Sequence, residues 1–418
     1  MKTGNDSWFQ KSELKHRSFF AHGSSVVTCL IFSHGRIISA SDDHSIHIYC
    51  PTTGDLLRSL DGHQGGVWAL AATKDTLVSA STDRTLRVWN LTTGRCTHVF
   101  GGHTSTVRCL TIVKPEWVDV DQESGAAARE KWPKRSVVVT GSRDHSLRVW
   151  TLPKPGEAEY HCYGSKDTDL DSENVCDTEE NPYHRIHLEG HDQPIRALAA
   201  RGRTLISGSY DHNVRVWDII TGQCKFVLTG HTQKVYCIAL DPKRNQAYSG
   251  SMDGTVRVWN LQTGQCQHTL IGHTSLVGLL GLSPSYLVSA AADATLRVWD
   301  PDTGTLKHAL AAHTGAITCF QHDEFKVLSG SDGALKLWNI HDGTVVKDLL
   351  TGITGVWQVV FEGRWCVSAS SKNDTTVLDV WDFGDPDDEG MEGSPKGSFD
   401  DEFTDDEDEH EEVGFVSP

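Results

Sequence analysis

No apolar run in this 418-residue chain is long enough to span a bilayer, and no signal peptide is visible, so a membrane role is not expected. The 11 cysteines are an odd number and none stands in a Cys-x-x-Cys pair. That argues against a disulfide framework and for a reducing compartment, nucleus or cytoplasm. His and Cys never cluster with zinc spacing, no glycine loop has the Walker pattern, and no Ser or Cys nucleophile stands out with its own base and orienter. The chain is therefore read as a non-enzyme without metal or cofactor. Basic charge is also scarce. The net charge is −18, of which −14 lies in 384–418, leaving −4 for everything before it. A body of that charge suits nucleic acid poorly. Residues 384–418 hold 15 Asp and Glu against one Lys, so a disordered acidic tail is expected there, with Thr404 a candidate kinase site.

What the chain does have is a repeat. Asp61–Asn90 holds Gly62-His63, two apolar runs, a tight polar turn at Ser81-Thr82-Asp83, and a last run ending near Trp89. Short runs rich in Val, Leu, Thr and Trp between Gly, Asp and Ser turns are strand-and-hairpin grammar. The histidine recurs as His22, His63, His103, His191, His231, His273 and His313, mostly 40 to 42 residues apart. The closing aromatic recurs as Tyr49, Trp89, Trp150, Trp217, Trp259, Trp299, Trp338 and Trp381. This period and this pair of signatures mark four-stranded propeller blades. One blade cannot cover both its faces, whereas a closed ring can. The expected fold is all-β: an eight-bladed β-propeller over 18–383 after a lead of 1–17, with Ser18 to Ala21 supplying the strand that closes the ring. Two insertions, 114–135 and an irregular 153–185, follow strand ends that point away from the Gly-His turns, so both belong on the opposite, bottom rim.

A Gly-His paired with a turn Asp in every blade reads as a buried hydrogen-bond network rather than chemistry. Its expected members are His63 with Asp83, His103 with Asp144, His191 with Asp211, His231 with Asp253 and His273 with Asp293. Arg87, Arg148, Arg215, Arg257 and Arg297 all stand two residues before the closing Trp, so they too read as scaffold. Cys29, Cys109, Cys237 and Cys319 share one strand register and read as small buried core residues.

Function should lie where equivalent positions differ. The slot five residues after the histidine holds Trp68, Arg108, Arg196, Tyr236, Gly278 and Thr318, and strand alignment adds Thr28 and Trp357. The residue before the turn Asp is Asp42, Thr82, Arg143, Tyr210, Met252 or Ala292, and Arg84 follows Asp83. Arg84, Arg108, Arg143 and Arg196 therefore share one arc at the top of an acidic protein. Arginine forks match phosphate with paired, charge-assisted hydrogen bonds. Trp68, Tyr210, Tyr236, Met252 and Trp357 make an apolar pocket beside them. A phosphate cradle next to such a pocket suits a phosphorylated peptide. The other reading is a general scaffold whose partners bind elsewhere, for instance at the bottom insertions.

The stretches GGVWAL, STDRTLRVWN, HTSTVRCL, GSRDHSLRVW, GSYDHNVRVWD, HTQKVY and HTSLVGLLGLS resemble those of the fungal cell-division-control F-box/WD-repeat family. The resemblance covers about His22 to Phe383. It implies an eight-bladed propeller that reads phosphothreonine-Pro degrons as the substrate receptor of an SCF ubiquitin ligase. It implies phosphate contacts from Arg108, Arg143 and Arg196 with Arg84 in support, and a peptide pocket of Trp68, Thr82, Tyr210, Tyr236, Met252 and Trp357. Thr106, beside Arg108, would add a hydroxyl. The family places an F-box before the propeller, and the 21 residues ahead of His22 are too few for one. Skp adaptor and cullin are thus expected as partners only through a longer native chain.

Overall fold

In the computed structural model, residues 8, 14–121, 127–162 and 181–384 are described. The acidic tail and Thr404 lie outside them. In blade two, Val67–Thr73, Thr76–Ser81, Leu86–Asn90 and Cys96–Phe100 form one antiparallel sheet, from the inner strand outward. The two middle strands are buried except at one end residue each. Their Leu, Val, Ala and Trp side chains meet flanking blades on both faces, which is why the runs read as continuously apolar. Such a sheet recurs eight times, and each inner strand lies beside the inner strands of the blades before and after, the eighth beside the first.

Each junction between blades is a separate small core. Between blades one and two, Ile38, Ile46, Val67, Leu77 and Trp89 pack together. Between blades eight and one, Leu378, Val367, Ile37 and Tyr49 do the same. Each buried large side chain contributes about 1.5–3 kcal/mol. The ring closes where Lys15–Phe20 pairs antiparallel with Thr375–Asp382 of blade eight. This strand begins at Lys15 rather than Ser18. His16 donates to Asp379 at 2.8 Å and stacks on Trp381. Trp8 also belongs to the core, 6% exposed and stacked on Phe383 at 3.6 Å.

The hydrogen-bond network follows one pattern in blades two to six. In blade two, Trp89 Nε1–H donates to Ser79 Oγ (2.8 Å), the Ser79 hydroxyl meets His63 Nε2 (2.7 Å), and His63 Nδ1–H meets Asp83 (2.7 Å). Thr140 replaces the serine in blade three. The glycine before the histidine has its own cause: a Cβ on Gly272 would lie 2.5 Å from an Arg297 nitrogen, and Arg297 donates to the Gly272 carbonyl at 2.8 Å.

Blade seven departs from the expectation that every blade carries the pair. His313 keeps Ser329 at 2.7 Å, but its Nδ1 is buried without a partner. The turn is one residue short, so Asp332 directly follows Ser331 and takes the place of Thr82 rather than Asp83. Asp332 lies against Gly315 as Thr82 lies against Gly65. The cysteine reading also needs adjustment. The described cysteines are free, but only Cys237 and Cys319 of the four are buried; Cys29 and Cys109 are half-buried.

Both insertions leave from bottom ends of strands. The first forms a hairpin, Glu116–Asp121 with Ala127–Trp132, tied to blade four by Glu116–Arg201 at 3.0 Å. The second is not wholly irregular, because Tyr160–His161 adds a parallel fifth strand to the outer edge of blade two.

Candidate functional site

The inner strand of every blade breaks register with its neighbour at the same place. The skips fall at Val27/Cys29, Val67/Ala69, Val107/Cys109, Ile195/Ala197, Val235/Cys237, Val277/Leu279, Ile317/Cys319 and Val356/Gln358. The bulged residues are Thr28, Trp68, Arg108, Arg196, Tyr236, Gly278, Thr318 and Trp357. A bulge leaves one residue outside the ladder and re-aims its side chain. Eight bulges at one height make a ring of variable side chains at the top of the inner strands. Two of them serve the scaffold. The Thr28 hydroxyl bonds the carbonyls of Ala40 (3.1 Å) and Val67, and Thr318 bonds those of Gly330 (3.1 Å) and Val356.

Arg108 is held over the Trp68 ring, its guanidinium carbon 3.9 Å from the ring centre. Its pKa is pushed down to about 10, first by burial and then by the positive charges of Arg196 and Arg143. Arg196 and Arg143 are thus both close enough to repel Arg108. Among the described residues none of Arg84, Arg108, Arg143 and Arg196 makes an ion pair. The turn carboxylates of blades two to four are already committed: Asp83, Asp144 and Asp211 each lie 2.7 Å from their blade's histidine. Burial works against ionisation of Asp83 and Asp144, but hydrogen bonds from His63 and His103, with others from their own turns, hold both carboxyls well below the usual range.

Next to the arginines runs an aromatic pair. Tyr210 and Tyr236 stand 5.3 Å apart, Arg196 lies 5.8 Å from the Tyr236 ring, and Lys234 lies 4.7 Å from the Tyr210 ring. Burial, then Tyr210, raises the Tyr236 pKa. The Arg143 N–H donates to the Thr106 carbonyl at 2.9 Å, which fixes that turn to blade three's own loop. Met252, on blade five's turn, is 46% exposed.

The structure thus joins Arg108, Arg143, Arg196, Trp68, Tyr210 and Tyr236 through direct or electrostatic contact. Arg84 and Thr82 are exposed on blade two's turn, Arg84 in the left-handed region (φ 71°), apart from the contacts of that group. Trp357 is half-buried and packs on the core between blades eight and one. Lys234 was missed by sequence reasoning. Its signal was present, because Lys234 is the one charged residue at the Thr106 register, beside Gly66, Pro194, Leu276 and Ala316. Arg108 and Arg196 are half-buried and Arg143 and Lys234 exposed, and a cation cluster with open hydrogen-bonding edges can hold a multivalent anion.

A family model for the WD domain, G-beta repeat, matches 14–50, 54–90, 182–218, 222–260, 264–300 and 304–339. The chain belongs to the WD-repeat family. The unmatched blades are the third, split by its insertion, and the eighth, which has no Gly-His. Cell division control protein 4 of Candida albicans is 45% identical over 391 residues, 91% of this chain and 55% of that protein. The Saccharomyces cerevisiae protein of the same name is 36% identical over 443 residues, 90% of this chain and 49% of that protein. WD repeat-containing protein pop1 of Schizosaccharomyces pombe is 38% identical over 387 residues, 91% of this chain and 50% of that protein. This WD-repeat region is of the cell-division-control type, and it spans about half the length of these curated relatives. Among solved structures, the computationally designed Ika8 protein is similar (TM-score 0.67, 29% identity), covering 87% of this chain and 98% of its own.

Proposed function

We propose that the top face binds phosphorylated peptides and serves as the substrate-recognition part of an SCF-type ubiquitin ligase. The observation that carries this reading is the crowding of Arg108, Arg143 and Arg196 without a carboxylate to neutralise them. The repulsion of Arg108 by Arg143 and Arg196 costs stability in the empty protein. A phosphate, with up to two charges and three acceptor oxygens, relieves that repulsion and fills the open N–H edges. Trp68, Tyr210 and Tyr236 offer apolar contact beside it, and the resemblance to the F-box/WD-repeat family supports turnover of regulatory proteins as the setting. Phosphothreonine followed by proline is the expected anchor.

The test is fluorescence anisotropy with a labelled peptide containing phosphothreonine-Pro, with and without the phosphate, over a salt series. Binding that needs the phosphate and weakens as salt rises supports the reading. Equal binding of both peptides, unchanged by salt, sinks it.

A further inference from the structure

We propose that Ser417 is a phosphorylation site and that 413–418, once phosphorylated, is a ligand for the arginine face, presented by a second copy of this chain. This step rests on the phosphopeptide reading. The chain holds three Ser-Pro pairs, Ser283-Pro284, Ser394-Pro395 and Ser417-Pro418, and no Thr-Pro. Ser283 is half-buried in blade six with its hydroxyl on the Tyr286 carbonyl at 3.4 Å, so it belongs to a folded turn. Ser394 follows Glu392-Gly393, which offer no apolar side chain. Thr404 is followed by Asp405 rather than proline. Ser417 alone follows two large apolar residues, Phe415-Val416, and precedes a proline.

The composition around it is selective. Residues 384–418 contain six apolar side chains, and three of them, Val413, Phe415 and Val416, stand within four residues of Ser417. A segment that serves only to solvate has no reason to gather them beside a Ser-Pro pair. The top face has a matching demand. Arg143 and Arg196 crowd Arg108 with no ion pair among the described residues, and the Tyr210 and Tyr236 rings stand 5.3 Å apart next to them. A phosphate on Ser417 brings up to two negative charges and three acceptor oxygens. In an extended segment Val416 and Phe415 follow at about 3.3 Å of chain per position, so charge and apolar surface arrive together. The ten Asp and Glu of 400–412 are not what is recognised: the body before 384 is itself −4, and charges beyond about 8 Å are screened at physiological salt. Every group needed lies within six residues, so a second copy presents them as a free peptide would. The co-reactants are a proline-directed kinase and ATP. The Ser417 hydroxyl oxygen bonds to the terminal phosphorus of ATP, the bond from that phosphorus to the ADP oxygen breaks, and the hydroxyl proton passes to the kinase's base. Phosphorylated copies then compete with other phosphopeptides for the same face.

The test is anisotropy on the unphosphorylated full chain with a labelled peptide of residues 407–418, with and without phosphate on Ser417, beside an unrelated phosphothreonine-Pro peptide. The phosphorylated 407–418 peptide should bind at least about tenfold tighter than its unphosphorylated form, displace the unrelated peptide, and weaken about tenfold with Arg196→Gln. Full chain treated with a proline-directed kinase should carry phosphate on Ser417 by mass spectrometry. It should also sediment faster, in a concentration-dependent way, than Ser417→Ala treated alike. Equal binding of the two 407–418 peptides while the unrelated peptide keeps its phosphate dependence overturns this proposal alone. Loss of phosphate dependence in both overturns the phosphopeptide reading and this proposal with it. A treated chain without phosphate on Ser417, or one that sediments like Ser417→Ala, also overturns the proposal and leaves the phosphopeptide reading standing.

Discussion

His63 donates from Nδ1 to Asp83 and accepts at Nε2 from Ser79, so the ring must be neutral to play both parts. Burial lowers the pKa of His63, His103 and His273, and that of His22 and His313 to about 4. The folded state therefore binds fewer protons than the unfolded chain between pH 6.5 and about 4. Stability is fully present above that window and falls as pH drops through it. Asp83 and Asp144, also lowered in the fold, add a second loss below their ordinary 3.8. Thermal melts at pH 7.5 and 5 should show a clear drop at pH 5; equal midpoints would contradict this account of the histidines. Arg108 behaves in the opposite sense. Its charge is disfavoured in the folded state, so Arg108→Gln should hold or raise the melting temperature while abolishing phosphopeptide binding. A fall of several degrees would show that Arg108 serves the scaffold instead. At this scale the sequence was most legible where a residue repeats. The His-Asp pairs of blades two to six could be named from spacing alone, but the orphaned His313 could not, because a one-residue deletion leaves Asp332 in view while moving it out of reach.

Among the elements, the closing strand Lys15–Phe20 decides whether the ring stays shut. Removing residues 1–20 exposes the edge of Thr375–Asp382 and the blade-eight core, and deletes Trp8 from its stack on Phe383. The truncated chain should melt more than 10 °C lower or aggregate, as unpaired edges do; an unchanged melting curve would contradict closure by this strand. Trp8→Ala alone should cost about 3 kcal/mol, as removal of a buried aromatic does, read from chemical denaturation. The inner-strand bulge shows why the site was partly legible. Counting five residues from each histidine finds the slot because the Gly-His turn and the bulge keep a fixed distance. Blade eight has no histidine to count from, yet its bulge at Val356/Gln358 puts Trp357 in the same ring. The strand Tyr160–His161 was not legible, since two residues have no period and their pairing with blade two is set by packing around Phe100 and Tyr183. The stack of Arg108 on Trp68 was hidden for a like reason: they stand 40 residues apart and meet only because adjacent blades align.

Taken as a whole molecule, the propeller separates its two rims. The variable ring and the Gly-His turns are at the top, and both insertions leave from the bottom. Replacing 163–180 by a short linker should therefore leave phosphopeptide affinity within twofold; a larger loss would tie that insertion to recognition. The chain is acidic at −18, yet it gathers Arg108, Arg143 and Arg196 at one point. A local cation cluster on an acidic body draws anions to that point and not to the surface at large. Calorimetric titration of a phosphothreonine-Pro peptide into wild type, Arg108→Gln and Arg196→Gln, with the unphosphorylated peptide in parallel, tests this most directly. Each substitution removes charge-assisted hydrogen bonds of about 1.5–3 kcal/mol, so each should weaken the phosphorylated peptide at least tenfold and leave the other unchanged. Equal affinity of both peptides for all three proteins would contradict the claim that this face reads phosphate.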